Sequence, residues 1–222
     1  MQQIVIIVAG GSGKRMNTAI PKQFLLLDRD PVLARSIRAF HRYSPEIEII
    51  VTLPGDHVKY WHTLCSKHNF NIPHKIVLGG RTRHHSVKNA MKEAVKGSLI
   101  AVHDGVRPLV SNALIQTCFD TAEILGNAVP VVELSDSLRE VDGEKNCRVD
   151  RSRFRLVQTP QIFNSDILIQ AFRQPYKPVY TDEATLVESA GHKINLVKGH
   201  AENIKITTSL DLCIASNILE NC

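Results

Sequence analysis

The stretch Ile4-Val5-Ile6-Ile7-Val8-Ala9-Gly10-Gly11-Ser12-Gly13-Lys14-Arg15-Met16, followed by Pro21-Lys22-Gln23-Phe24, decides the fold. It opens with an unbroken apolar run, the pattern of a strand buried on both faces of a parallel sheet. The run passes straight into three glycines and two cations, and Lys22 follows behind Pro21. Glycine lets the backbone approach a ligand closely, and inward-turned N–H groups suit phosphate oxygens. Lys14, Arg15 and Lys22 add charge at the same place, with no acid before Asp28. The strand end therefore reads as a polyanion site, most simply for a nucleoside triphosphate. A Gly-rich turn alone describes an ordinary strand-to-helix connection equally well; the three cations favour the ligand.

Spacing excludes two other phosphate loops. A P-loop requires glycine five positions before Gly13 and Ser or Thr after Lys14, where this chain has Val8 and Arg15. A dinucleotide fingerprint through Gly11 and Gly13 requires Gly or Ala at the position of Met16.

Outward from this stretch, strand-like runs recur at Ile4–Ala9, Ile47–Leu53, Lys75–Leu78, Ser98–His103 and Ala128–Val132. Helical patterns at Val32–Tyr43, Asp56–His68, Thr82–Lys96 and Asn112–Leu125 separate them. Such alternation predicts an α/β fold: βαβ units in a Rossmann-like, mostly parallel sheet with helices on both faces. In these sheets ligands bind beyond the carboxyl ends of the strands. Three polar clusters fall there: Gly10–Arg15, Gly79–Arg83 and His103–Pro108. The alternation breaks after Val132. Ser135–Arg153 is polar and contains the turn signal Asp142-Gly143, which predicts an exposed hairpin arm inserted in a single domain spanning residues 1–222. Beyond it, Arg155–Phe163 reads as a strand, Asp166–Arg173 and Asp182–Ala190 as helices, Ile194–Val197 as a strand and Leu210–Leu219 as a final helix.

With 222 residues, 43% hydrophobic and 22% charged, the chain can bury one substantial core. Its longest apolar run is far too short to cross a bilayer. No secretory segment is evident, and five scattered cysteines without a CxxC pair argue against a disulfide framework, so a reducing cytoplasm is expected. The net charge of +5 is not gathered into a basic stripe, and aromatics are only 5%. This composition speaks against nucleic acid and for small anionic substrates.

Glycine, lysine, arginine and small hydroxyls at three strand ends equip a site for nucleotidyl transfer, where alignment and electrostatic stabilisation carry the rate. Arg15 and Lys22 are the expected stabilisers of charge at a phosphorus under attack, on a flap that Pro21 interrupts. Asp104 is a candidate contact for a metal ion or a substrate hydroxyl, or alternatively a turn cap. A triad of Ser86, a neighbouring histidine and Asp104 lacks the nucleophile elbow. His62 and His68 lie about 240° apart around a helix, so they cannot share one ion.

Taken in order, these segments resemble the 2-C-methyl-D-erythritol 4-phosphate cytidylyltransferase family. They are Ala9–Met16, Pro21-Lys22-Gln23-Phe24, Gly79-Gly80 with Arg83 and Ser86-Val87, and Val102-His103-Asp104-Gly105-Val106-Arg107-Pro108. Val149-Asp150-Arg151, Gln158-Thr159-Pro160-Gln161, Thr181-Asp182-Glu183-Ala184 and Asn203–Thr207 complete the set. The resemblance implies a nucleotide-diphospho-sugar transferase type of sheet and transfer of a cytidylyl group from CTP to methylerythritol phosphate, with Mg²⁺. It assigns Arg15 and Lys22 to the transition state, Ala9, Gly10 and Gly11 to the triphosphate and nucleoside, and Gly80 and Ser86 to the base. Asp104 and Gly105 fall beside the CTP ribose; Arg107, Thr181 and Lys205 hold the second substrate. It further implies a homodimer whose exchanged arm carries Arg151, and Ser137 at the family's threonine position, into the neighbouring site.

The chemistry agrees with the residues. A phosphate monoester nucleophile is largely dianionic near neutrality, its second pKa being about 6, so cations rather than a general base are needed. Arg81 stands where some members carry an acid, and Gly105-Val106 also suits the sister ribitol-5-phosphate cytidylyltransferases, which remain the alternative enzyme. A nucleotide-sensing module without catalysis is the alternative of another class.

Overall fold

β1 (Gln3–Val8) lies at the centre of the main sheet because Ile4, Val5, Ile6 and Ile7 are all fully buried and feed both of its faces. The computed structural model describes residues 1–11 and 20–220. After β1 come the short strands β2 (Leu26–Leu27) and β3 (Asp30–Pro31), then α1 (Val32–Tyr43), β4 (Glu48–Leu53), α2 (Gly55–Lys67), β5 (Lys75–Leu78) and α3 (Arg83–Ala90). β6 (Leu99–Asp104), α4 (Asn112–Leu125), β7 (Asn127–Val132), β8 (Leu138–Asp142) and β9 (Lys145–Val149) follow. The chain closes with β10 (Leu156–Val157), β11 (Gln161–Asn164), α5 (Ser165–Ala171), α6 (Glu183–Ser189), β12 (Leu196–Lys198) and α7 (Ser209–Glu220).

The main sheet runs β10-β7-β11-β6-β1-β4-β5, with β12 also paired to β7. β1 pairs in parallel with β4 and β6, and β4 with β5; β11 is antiparallel between β6 and β7. Side chains alternate across a strand, so Val5 and Ile7 join one core with α1, α2 and α4, while Ile4 and Ile6 join another with α3, α5 and α6. A third cluster seats α7 through Ala215 against Leu27, Val32, Val106 and Ile206.

Register then brings the polar clusters together. Val8 stands opposite both Thr52 and Asp104, and Leu53 opposite Leu78, so the ends of β1, β6 and β5 share one edge of the sheet. The hairpin β8–β9 pairs with no other strand among the described residues, and everything from Arg139 to Arg148 is exposed. Gly143 supplies the left-handed turn at φ +58°.

Two expected elements are corrected. The helix over Thr82–Lys96 stops at Ala90 and passes into a single 3₁₀ turn, Met91–Glu93, because Lys92, Glu93, Val95 and Lys96 are exposed and have no face to bury. The strand over Arg155–Phe163 is two, β10 and β11, interrupted where Gln158 and Thr159 turn their side chains to His200 and His103 and where Pro160 has no N–H to donate.

Candidate active site

A cavity of about 290 Å³ opens at the shared edge, lined by Ala9, Gly10, Gly11, Lys22, Gly80, Ser86, Asp104 and Lys205 among others. Arg15 lies outside the described residues. Lys22 reaches the cavity because the turn Lys22–Phe24 is fastened at both ends: Gln23 Nε2 donates to Ala9 O at 2.9 Å, and the Phe24 ring packs against Tyr60 and Trp61. This end of the expected flap is therefore anchored to β1.

On the opposite wall Gly80 N donates to Ser86 Oγ at 3.0 Å, and Ser86 Oγ donates to Thr82 O at 3.0 Å. The loop comes so close to α3 that a Cβ on Gly80 would stand 2.4 Å from the Cβ of His85. Both hydrogen bonds of Ser86 hold backbone, and His85 Nδ1 engages Thr82 Oγ1, so no Ser–His–Asp triad forms. Gly105 follows Asp104 without lining the cavity, and a Cβ there would press on Leu33, Ala9 and Ile7 at 3.1–3.2 Å.

Asp104, at the end of β6, is the hub. Its carboxylate meets Lys205 Nζ at 2.8 Å, Arg83 Nε at 3.3 Å and Arg107 Nε at 3.7 Å. Burial would raise its pKa, but Arg83, Lys205 and Arg107 together outweigh that and hold it well below the usual carboxylate range. Ile206 N donates to Val106 O at 2.9 Å, which lays the segment carrying Lys205 along the cavity rim. Behind Asp104, His103 Nε2 donates to Arg107 O at 3.1 Å, leaving Nδ1 to accept from the Thr159 hydroxyl at 3.2 Å. That hydroxyl accepts from Asp104 N at 3.0 Å. This chain of bonds fixes the tautomer of a fully buried imidazole, whose pKa burial lowers to about 4.

Arg107 is buried beneath the cavity rather than lining it, with Nη1 donating to Asn203 O at 2.7 Å. Thr181 is exposed just ahead of α6 and does not line the cavity. Ser137 and Arg151 sit at the base of the hairpin, both exposed, with Arg151 donating to Ser135 O. Two residues of the site had no assigned role in the sequence. Arg83 donates through Nη1 to both Glu183 carboxylate oxygens at 2.7 Å, and Glu183, the first residue of α6, is 2% exposed. Both stood in quoted motifs, but nothing in linear order showed that α3 and α6 start side by side.

Comparison with known proteins decides the family. The family profile described as 2-C-methyl-D-erythritol 4-phosphate cytidylyltransferase matches residues 3–221. The chain belongs to that family. A cytidylyltransferase of the same description from Azobacteroides pseudotrichonymphae is 47% identical over 222 residues, covering 99% of each chain. One from Bacteroides fragilis is 42% identical over 219 residues, covering 99% of this chain and all of the relative. The crystal structure of the Thermus thermophilus enzyme superposes with a TM-score of 0.82 at 31% identity, covering 99% of this chain and 100% of that one. The reaction is transfer of a cytidylyl group from CTP to 2-C-methyl-D-erythritol 4-phosphate in isoprenoid biosynthesis.

The electrostatics suit a cytidylyltransferase. Among the described residues, Lys22, Arg81, Arg83 and Lys205 line the cavity against a single lining carboxylate, Asp104. Among the described residues no group of three or more His, Cys, Asp or Glu side chains is placed to hold a metal ion. A site with one carboxylate fits Mg²⁺ carried by substrate phosphates, since that ion keeps most of its water and takes few protein ligands. No helix of the described residues is long and apolar enough to cross a membrane.

Proposed function

We propose that Lys22 and Arg15 stabilise the charge that develops at the α-phosphorus of CTP. The amides of Ala9, Gly10 and Gly11 receive the triphosphate, and the Gly80–Ser86 loop receives the base. Asp104 and Gly105 lie beside the CTP ribose, and Lys205 holds methylerythritol phosphate, with Arg107 beneath the cavity and Thr181 beyond its described lining as further contacts of that substrate. One oxygen of that phosphate attacks the α-phosphorus in line, the bond to the β-phosphate bridging oxygen breaks, and pyrophosphate leaves with the electron pair. The nucleophile arrives as an anion, so no general base is required; the obstacle is repulsion between two anions, and cations lower it. Mg²⁺ carried on the triphosphate would neutralise part of its charge, with Asp104 the candidate protein contact.

The observation that carries this reading is the excess, among the described residues, of four lining cations over one carboxylate at the carboxyl edge of β1, β5 and β6. Ser86 and His103, the neighbouring candidates for nucleophile and base, are both committed to structural hydrogen bonds. A homodimer completes the site in this proposal, its arm 135–153 bringing Arg151 and Ser137 to the partner. An isolated two-stranded hairpin is marginal in water, and among the described residues β8–β9 pairs with no other strand, which supports a partner surface. Location in the cytoplasm fits the free cysteines Cys65, Cys118, Cys147 and Cys213. The test is pyrophosphate release from CTP with each alcohol phosphate in the presence and absence of Mg²⁺. Metal-dependent turnover with methylerythritol phosphate is expected; turnover confined to ribitol 5-phosphate would overturn the reading.

A further inference from the structure

Among the described residues, Glu183 is the deeply buried carboxylate beside the cavity that the proposed reaction does not use. Its side chain is 2% exposed, and both oxygens accept from the same nitrogen, Arg83 Nη1, at 2.7 Å. Arg83 Nε meanwhile donates to Asp104 Oδ1 at 3.3 Å, and Asp104 Oδ2 holds Lys205 at 2.8 Å. Acid, base, acid and base thus form one line from the start of α6, across the cavity floor, to the rim. The far end is built to stay in place. Asp182 caps α6 by accepting from Thr185 N at 2.9 Å, and it also accepts from Gln161 Nε2 at 3.0 Å. Gln161 Oε1 accepts from Ala184 N at 2.9 Å, so α6 begins bolted to β11.

Stability does not account for this arrangement. A buried ion pair gains little over well-packed apolar residues of similar volume, because desolvation offsets the attraction. Its geometry does have a use: without Glu183, the Arg83 guanidinium keeps only the longer contact to Asp104 and can swing toward that carboxylate, in competition with Lys205.

We propose that Glu183 is a positioning residue for the cytidylyl transfer: by clamping Arg83 it holds the Asp104 carboxylate in the orientation that presents Lys205 to the alcohol phosphate. The inference rests on the role given to Lys205 above. It predicts a split between substrates, because the line ends at the second substrate and not at CTP.

The test compares wild type, Glu183→Gln, and the double variant Arg83→Met with Glu183→Leu, which replaces the pair by apolar groups. Steady-state kinetics for each substrate are read beside thermal unfolding. Wild-type turnover with methylerythritol phosphate is the control for the proposed function: its absence would sink that reading and this one with it, whereas normal wild-type turnover beside unaffected variants would sink this one alone. For Glu183→Gln, a fall of at least tenfold in kcat/KM for the alcohol phosphate is expected, with KM for CTP within threefold of wild type. The double variant should fold and show at least the same loss for the alcohol phosphate. A double variant with wild-type kinetics, or losses equal for both substrates and in step with the unfolding temperature, would leave Glu183 a structural residue and overturn the proposal.

Discussion

Lys205 Nζ stands 2.8 Å from Asp104 Oδ2, and the same carboxylate is shared with Arg83 and Arg107. Three cations converge on one buried anion, so Asp104 is what makes their closeness tolerable. Removing one partner from a buried charge cluster leaves uncompensated charge, at a cost of about 3–5 kcal/mol. Asp104→Ala is expected to lower folding stability by that order and to abolish turnover. Denaturant titration beside the pyrophosphate assay checks both; wild-type stability would show that the cations find other partners.

Lys22 differs, because its neighbours anchor the turn that carries it: Gln23 donates to Ala9 O and Phe24 packs against Tyr60. Lys22→Ala should leave the unfolding temperature near wild type and lower kcat by about 10²–10³-fold, the usual effect of losing one transition-state donor. Arg15→Ala carries the same kinetic expectation. Near-normal kcat in either variant would remove that residue from the mechanism.

Two buried histidines set an acid limit. Burial lowers His84 to about 4, helped by His85 and Lys88, and burial likewise lowers His103 to about 4. In the unfolded chain each returns to about 6.5, so the unfolded state binds more protons between these values. Stability is then complete above pH about 6.5 and declines as pH falls toward 4, by on the order of 3 kcal/mol for the fully enclosed His103 and by less for His84. Asp104, held low when folded, adds a further loss below pH about 4, where its unfolded counterpart protonates. His84 packs among Phe172, Tyr176 and Tyr180, so His84→Phe keeps an aromatic ring in place. Unfolding free energies at pH 7.5 and 5 should differ less in this variant; an unchanged slope would assign the acid sensitivity elsewhere.

Deleting 135–153 behind a short linker tests the arm. Among the described residues the main sheet makes no strand pairing with β8 or β9, so the remaining chain should fold. It is expected to sediment as a monomer and to lose turnover. A fully active monomer would refute a shared site.

Much of the fold was legible because strands and helices announce themselves by local periodicity. Ile4–Val8 reads as a buried strand with no knowledge of its neighbours, and Asp142-Gly143 marks the hairpin tip. The boundaries that were misread, at Ala90 and at Gln158–Pro160, were set by what lay nearby to pack against or bond to.

The chain alone determined the class of chemistry, because glycines and cations at strand ends are chosen for phosphate wherever the strands lie, and the ordered motifs identified the family. Tertiary structure alone decided which groups act together. The joining of Glu183 to Arg83, and of Lys205 to Asp104, depends on side-chain contacts across the closed sheet edge, and charges attract according to distance in space, not distance along the chain.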